Sequence, residues 1–269
     1  MDGKKFTILD FKRKKEAGDK ITMLTAYDCP MAELIDQAGV DAILVGDSVG
    51  MVLLGYESTA RVTMEEMIHH SRAVRRGTRN AFLVGDMPFM SYQAGDEEAV
   101  RNAGRFVKEA GCDAVKLEGG REICPRVEAI LSAGIPVLGH IGLTPQSVTR
   151  LGGYRVQGRD AESAARIMKD AVFLESAGCF AVVLECVPRE LARRITGKLR
   201  IPTIGIGAGS HCDGQVLVTH DIIGYFDKFL PKFVKQYTNV GEKILEAVTR
   251  FKEETTSGAF PDDGHSFTS

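Results

Sequence analysis

The stretch AGCDAVKLEG, residues 110–119, turns from helix into strand and then ends on charge. Gly111 stands where a preceding helix would stop, because the position just past a helix favours a left-handed backbone that glycine adopts freely. Ala114, Val115 and Leu117 form the apolar run of a buried strand, yet Lys116 interrupts the run and Glu118 closes it. The same design recurs as AGVDAILVGD (38–47) and AGCFAVVLEC (177–186), each an Ala-Gly stop, an apolar run and a carboxylate. Helix, glycine stop and buried strand, repeated, spell alternating α and β elements with a parallel sheet.

Further strands fit around these: ITMLTAY (21–27), AFLVGDMP (81–88), IPVLGHIG (135–142), IPTIGIGAG (201–209) and GQVLVTHDIIG (214–224). Most are separated by helical patterns such as PMAELIDQAG, the segment 63–76, ICPRVEAILSAG and PRELARRITGKL. Eight strands over about 250 residues is the rhythm of a single-domain α/β protein, the (β/α)8 TIM barrel. A doubly wound open sheet is the runner-up, but TAYDCPMAEL after the first strand lacks its glycine fingerprint. The expected organisation is a barrel with an N-terminal helix over 1–254 and a polar C-terminal tail, 255–269, extended over a surface or loosely ordered.

Charge and composition exclude several classes. The chain has 269 residues, 44% of them hydrophobic, and a formal net charge of −2, which gives no electrostatic reason to bind nucleic acid or an anionic membrane. The basic cluster FKRKK (11–15) reads, with Leu9, Phe11 and Lys12, as one side of a short amphipathic helix with a solvated face. No apolar run reaches the roughly 18–20 residues of a membrane span. The N-terminus lacks the apolar core of a signal peptide. Six cysteines without a CxxC pair read as reduced thiols, so a cytoplasmic location is expected.

In such barrels the chemistry gathers at the C-terminal strand ends. Those ends read Asp47 and Ser48, then Asp86, then Lys116 and Glu118, then His140, then Glu185. Alternation puts Lys116 and Glu118 on one side of their strand. Asp47, Asp86 and Glu118 would converge on one mouth, where unpaired carboxylates repel and burial is costly. A divalent cation relieves that repulsion, and all-oxygen ligands suit Mg²⁺. The thinly spread cysteines and histidines argue against structural zinc. Glu185, between Leu184 and Cys186, is expected in apolar surroundings that would tune it as an acid or base. Each residue has a plainer reading: Asp47 or Asp86 as a helix cap, Glu118 as a loop acid, His140 as a core histidine. A lysine inside an apolar run demands a partner under any reading.

Other features are less specific. GIGAG (205–209) could cradle a phosphate or simply make a tight turn. His69 and His70, on a helix, are expected to face solvent or a partner. The segment 143–160 is long for a barrel loop and, with Gly152 and Gly153, reads as a lid or binding loop. Gly46 and Gly50 are expected to let a bound acid approach the backbone closely.

With the strand ends laid out, the chain resembles the ketopantoate hydroxymethyltransferases of pantothenate and coenzyme A biosynthesis. The resemblance is carried by TAYD (25–28), VGDSVGM (45–51), GDMPFMSY (85–92), VKLEGG (115–120), GHIGLTPQSV (139–148), GGYRVQGR (152–159), LECVPRELARRIT (184–196) and IPTIGIGAG (201–209). DGQVLVTHDIIG and the closing GHSF add to it. Arg61 departs from the pattern, where proline is expected, and puts only the local turn in question.

The resemblance implies a (β/α)8 barrel and transfer of the one-carbon unit of 5,10-methylenetetrahydrofolate, the co-substrate, to 3-methyl-2-oxobutanoate. A Mg²⁺-stabilised enolate would carry the reaction to 2-dehydropantoate. Asp47, Asp86 and Glu118 carry over as metal ligands, directly or through water. Asp47, Ser48, Asp86 and Lys116 carry over as the keto-acid site, with His140 beside it, and Glu185 as the catalytic base. It also implies a homo-oligomer, a decamer built from dimers. Two alternatives stand against it. One is a Mg²⁺-dependent lyase of the phosphoenolpyruvate-mutase and isocitrate-lyase kind, but its Lys-Lys-Cys-Gly-His string is absent here. The other is a barrel that binds without catalysing, which the intact set of strand-end residues disfavours.

Overall fold

Glycine stops set the helix ends as expected: Gly39, Gly111 and Gly178 lie at φ +75°, +69° and +101°. The computed structural model describes residues 4–225 and 230–267. Thr268 and Ser269, the end of the expected tail, lie outside the described residues. The chain divides into two compact units, Met1–Val218 and Thr219–Ser269.

The first unit is the barrel. Its strands are β1 (Ile21–Thr25), β2 (Ala42–Val45), β3 (Phe82–Asp86), β4 (Ala114–Glu118), β5 (Val137–Gly142), β6 (Ala181–Glu185), β7 (Thr203–Ile206) and β8 (Gly214–Leu217). They close in sequence order, each parallel to its neighbours, and β8 returns to β1. Helix α1 (Ile8–Ala17) precedes β1, and α2 (Cys29–Gln37) follows it. Between β2 and β3 lie α3 (Val49–Val52) and α4 (Met64–Gly77); α5 (Asp96–Lys108) and α6 (Cys124–Ser132) follow β3 and β4. After β5 come α7 (Val148–Leu151) and α8 (Ala161–Ala177), and α9 (Arg189–Lys198) joins β6 to β7. β7 passes to β8 without a helix.

Strand periodicity sorts the core into two sets. Ile43, Val45, Leu83, Val115, Leu117, Val182 and Leu184 pack outward with the helices. Met23, Leu44, Phe82, Val84, Ala114, Leu138, Ala181, Val183, Ile204 and Val216 fill the barrel interior. Phe11 of α1 belongs to this inner set and closes the N-terminal end, its ring 5.4 Å from Phe82 and 5.1 Å from Phe180. Burying one such phenylalanine contributes roughly 2–3 kcal/mol. The basic stretch around it is solvated on one side only, where Lys12 and Arg13 are exposed. Lys14 pairs with Asp41 at 2.6 Å and Lys15 with Asp213 at 2.7 Å, whereas Leu9, expected beside Phe11, is exposed.

Inward parity has a direct consequence at the other end. Asp86, Lys116, Glu118, His140 and Glu185 are each two or four residues beyond an inward apolar residue of their own strand, so all five face the mouth.

In the second unit the apolar run after β8 is helical, not extended: α10 spans Thr219–Ile222. Helix α11 (Val240–Ser257), started by the Asn239 side chain accepting from Glu242 N–H, passes through the boundary expected after residue 254. It buries no residue and presents Ile244, Leu245, Val248 and Phe251 on its surface. Among the described residues no helix is long and apolar enough to cross a membrane.

Candidate active site

The turn after β2 brings Asp47 and Ser48 to the mouth. Gly46 is needed there because a Cβ would lie 2.8 Å from Ser48 Oγ. Gly50 serves packing, not close approach of a ligand: its missing Cβ makes room for Val62, which would otherwise be 2.6 Å away. Asp47 is no helix cap. Its backbone N–H donates to Asp86 Oδ2 at 3.1 Å, and its own Oδ2 accepts from Gln146 Nε2 at 3.0 Å. Ser48 Oγ lies 2.8 Å from the hydroxyl of buried Tyr27. The Tyr27 carbonyl is 2.7 Å from His70 Nδ1, so His70 ties α4 to this turn while His69 is exposed. The turn holding Arg61 forms as a 3₁₀ helix, Thr59–Arg61, capped by Ser58.

Lys116 occupies the centre. Its Nζ is 2.8 Å from Asp86 Oδ1, 3.4 Å from Glu118 Oε1 and 3.2 Å from His140 Nδ1. His140 Nδ1 is also 3.3 Å from Glu118 Oε1, and Nε2 faces Glu185 Oε2 at 3.2 Å. The imidazole therefore bridges two carboxylates. Glu185 does not sit in the apolar pocket expected for it: its side chain is 15% exposed and its neighbour is a histidine.

Electrostatics follow from burial. Desolvation, then repulsion from Asp86 and Glu118, pushes the Asp47 carboxyl well above the carboxylate range. Burial also raises Asp86, with Lys116 pulling against it and Glu118 adding to it. Glu118 goes the other way: burial is outweighed by Lys116 and His140, which hold it at about 2. Burial and Lys116 oppose charge on His140, yet Glu118 and Glu185 raise it to about 9. The carboxylates keep Lys116 above its ordinary value despite burial. With all four ionised, the carboxylates would outnumber one lysine and one imidazolium by two negative charges, and the raised Asp47 and Asp86 carboxyls express that excess.

That surplus fits a hard divalent cation. Asp47 and Asp86 would be the residues to hold one, and buried Asp86 Oδ1 has no hydrogen bond beyond its ion pair with Lys116. Among the described residues no three His, Cys, Asp or Glu side chains are spaced to clasp one ion by themselves. Lys116 stands between Asp86 and Glu118, which keeps the three acids from forming a closed claw. Mg²⁺ commonly takes only one or two carboxylates and leaves its other positions to water and substrate.

Residues 5–263 match the model of the family described as ketopantoate hydroxymethyltransferase. The chain belongs to the ketopantoate hydroxymethyltransferase family. It is therefore an enzyme, a transferase. A relative from Syntrophus aciditrophicus (strain SB), named 3-methyl-2-oxobutanoate hydroxymethyltransferase, is 60% identical over 265 residues, 98% of this chain and 97% of that one. A relative of the same name from Moorella thermoacetica (strain ATCC 39073 / JCM 9320) is 58% identical, covering 97% of each chain. Among solved structures, phosphonopyruvate hydrolase in complex with oxalate and Mg++ has a TM-score of 0.60 at 13% identity, covering 97% of this chain and 93% of that one. For 2,3-dimethylmalate lyase, of the PEP mutase/isocitrate lyase superfamily, the TM-score is 0.60 at 16% identity, covering 95% and 90%. At such identities this hydroxymethyltransferase family shares with them the fold alone.

Two side chains at the site carry no charge and were not singled out by sequence. The Tyr92 hydroxyl accepts from Glu118 N–H at 3.1 Å and lies 2.9 Å from Gln146 Oε1. Gln146 comes from the start of the long loop after β5. Beyond it the loop is partly helical, as α7, and Tyr154 reaches Met51 of α3, its hydroxyl 3.6 Å from Sδ. GIGAG ends β7 and bends at Gly207 and Ala208, and the Gly209 carbonyl accepts from Gln215 Nε2 of β8 at 2.9 Å.

Proposed function

We propose that the protein transfers the one-carbon unit of 5,10-methylenetetrahydrofolate to 3-methyl-2-oxobutanoate, giving 2-dehydropantoate, with Mg²⁺ held by Asp47 and Asp86. The observation that carries the reading is the buried surplus of negative charge around Lys116, next to an imidazole that joins Glu118 to Glu185. The names of the relatives supply the substrate.

When bound, the cation supplies Lewis acidity that favours loss of a proton beside the keto group. The protein's own groups do the rest. Lys116 and Ser48 grip the anionic keto acid. Glu185 removes the C3 proton, and His140 Nε2 aims its carboxylate. The resulting carbanion forms a bond to the methylene carbon, whose two bonds to folate nitrogens break; water supplies the hydroxyl oxygen, and its spare proton and the one taken from C3 end on those nitrogens. Glu118, fixed by Tyr92 and His140, holds Lys116 and the imidazole in register.

The six cysteines are all free, which supports the cytoplasm as the compartment. The apolar stripe on α11 supports self-association, which sedimentation of the wild type against Val248→Glu would test. For the reaction itself, the protein is incubated with both substrates and Mg²⁺, with and without chelator. Formation of 2-dehydropantoate only with free Mg²⁺ is expected, and product made equally well in chelator overturns the cation assignment. Glu185→Gln should abolish solvent deuterium exchange at C3 of the keto acid; undiminished exchange removes Glu185 as the base.

A further inference from the structure

The mechanism leaves buried Gln146, at the heart of the site, without a role. Gln146 has neither charge nor nucleophilicity, and it belongs to the short turn Pro145–Ser147 that opens the loop after β5. Yet each hydrogen-bonding atom of its side chain is engaged. Nε2 donates to Asp47 Oδ2 at 3.0 Å and to the Met87 carbonyl at 2.9 Å, and Oε1 is 2.9 Å from the Tyr92 hydroxyl. Its backbone N–H donates to Glu118 Oε2 at 3.1 Å. One residue thus joins the segments that follow β2 and β3, and the end of β4, to the loop that follows β5. The amide has one workable orientation: turned over, its oxygen would face a carboxylate and a carbonyl.

We propose that Gln146 is a positioning residue that sets Asp47 for a divalent cation, and that cation binding is thereby linked to docking of the loop 143–160. This rests on the cation reading above and adds to it a residue and a coupling. Asp47 differs from the other acids in the kind of partner it has. Asp86 and Glu118 each lie against the Lys116 ammonium, which neutralises charge as it orients. Asp47 is oriented instead by a neutral amide, which fixes the carboxylate without competing for its charge. A donor of that kind behind a ligating carboxylate is what raises a site's affinity for a metal. Because the donor rides on the loop, the two events share one free energy. A cation that draws on Asp47 favours the docked loop, and the docked loop raises cation affinity by the same factor.

The test needs no turnover. Mn²⁺ is titrated into chelator-stripped protein without substrates, its free ion read by electron paramagnetic resonance, and hydrogen exchange is followed across residues 143–160. In the wild type, Mn²⁺ should bind and slow exchange in that loop. Gln146→Leu, which keeps the volume and removes the bonds, should weaken Mn²⁺ binding by about 10–100-fold and abolish the cation-dependent protection. Gln146→Asn, with the amide kept but its reach shortened, should fall between the two. Equal affinity in wild type and Gln146→Leu, or loop protection indifferent to Mn²⁺, overturns the proposal while leaving the cation reading intact. A wild type that binds no Mn²⁺ overturns both. Should Gln146→Leu unfold, Gln146→Glu decides: a carboxylate facing Asp47 should make loop protection depend wholly on Mn²⁺, and protection in chelator equal to wild type refutes the link.

Discussion

The two ends of the barrel use the same residue types in opposite ways. At the N-terminal end Asp41, Asp113 and Asp213 stand just before β2, β4 and β8. Each accepts a backbone N–H from a neighbouring strand, from Thr22, Leu83 and Thr203 respectively. Each also meets a lysine from the first residues of the chain: Lys14, Lys5 and Lys15. Every acid there has a cationic partner, Asp113 a second one in Arg75, and strand register is pinned as a result. At the C-terminal end Asp47, Asp86, Glu118 and Glu185 share Lys116 and His140, and among the described residues no further ion pair to these acids balances the remainder. Matched charge belongs to stability. Unmatched buried charge is retained where a ligand supplies what is missing.

The sharpest way to break that comparison is to exchange the outcomes. Asp47→Asn should lower kcat/KM by about 10³-fold or more, since removing a ligand that positions a Lewis acid forfeits several kcal/mol of transition-state stabilisation. The same change should leave the melting temperature equal or raise it by about 2–4 °C, because it relieves buried repulsion. A variant that is both active and less stable would show that the mouth is built like the base. Asp213→Ala should do the converse. It deprives Lys15 of its partner and Thr203 of its acceptor, at a cost of about 2–4 kcal/mol in denaturant unfolding, with kcat within about twofold of wild type. Loss of activity without loss of stability would contradict the assignment.

The smallest effect concerns His140 in cation-free protein. Its folded pKa, about 9, lies above the ordinary 6.5, so the imidazolium contributes stability that is fully present below 6.5 and is lost as pH rises through about 9. Unfolding free energies of wild type and His140→Gln should therefore converge toward high pH. Parallel profiles across that window would mean the ring is neutral in the folded protein.

Much of the fold can be read from particular residues. Gly39, Gly111 and Gly178 end helices because no other residue tolerates their backbone angles so cheaply, and that is a local property. Lys116 and Glu118 share a side because strand alternation is local too. The misreadings were of residues whose meaning depends on distant partners. Lys14 and Lys15 looked solvated because their aspartates lie far away in sequence, and the last turn of α11, 255–257, looked like the start of a tail. Gly50 looked like room for a ligand when its neighbour is Val62. Gln146 and Tyr92 lay inside quoted motifs, yet without charge they gave no signal by themselves.

The sequence by itself determined the order of strands and helices, which strand ends are polar, and the set of acids that meets at the mouth. Periodicity and backbone preference act over a few residues, so one dimension suffices to see them. Only the tertiary structure decided the pairings: that Lys116 stands between Asp86 and Glu118, that His140 rather than an apolar wall faces Glu185, and that Gln146 holds Asp47. Coulomb energy and hydrogen bonding act across a few ångströms of space whatever the separation along the chain, and closure of the barrel is what brings those atoms within reach.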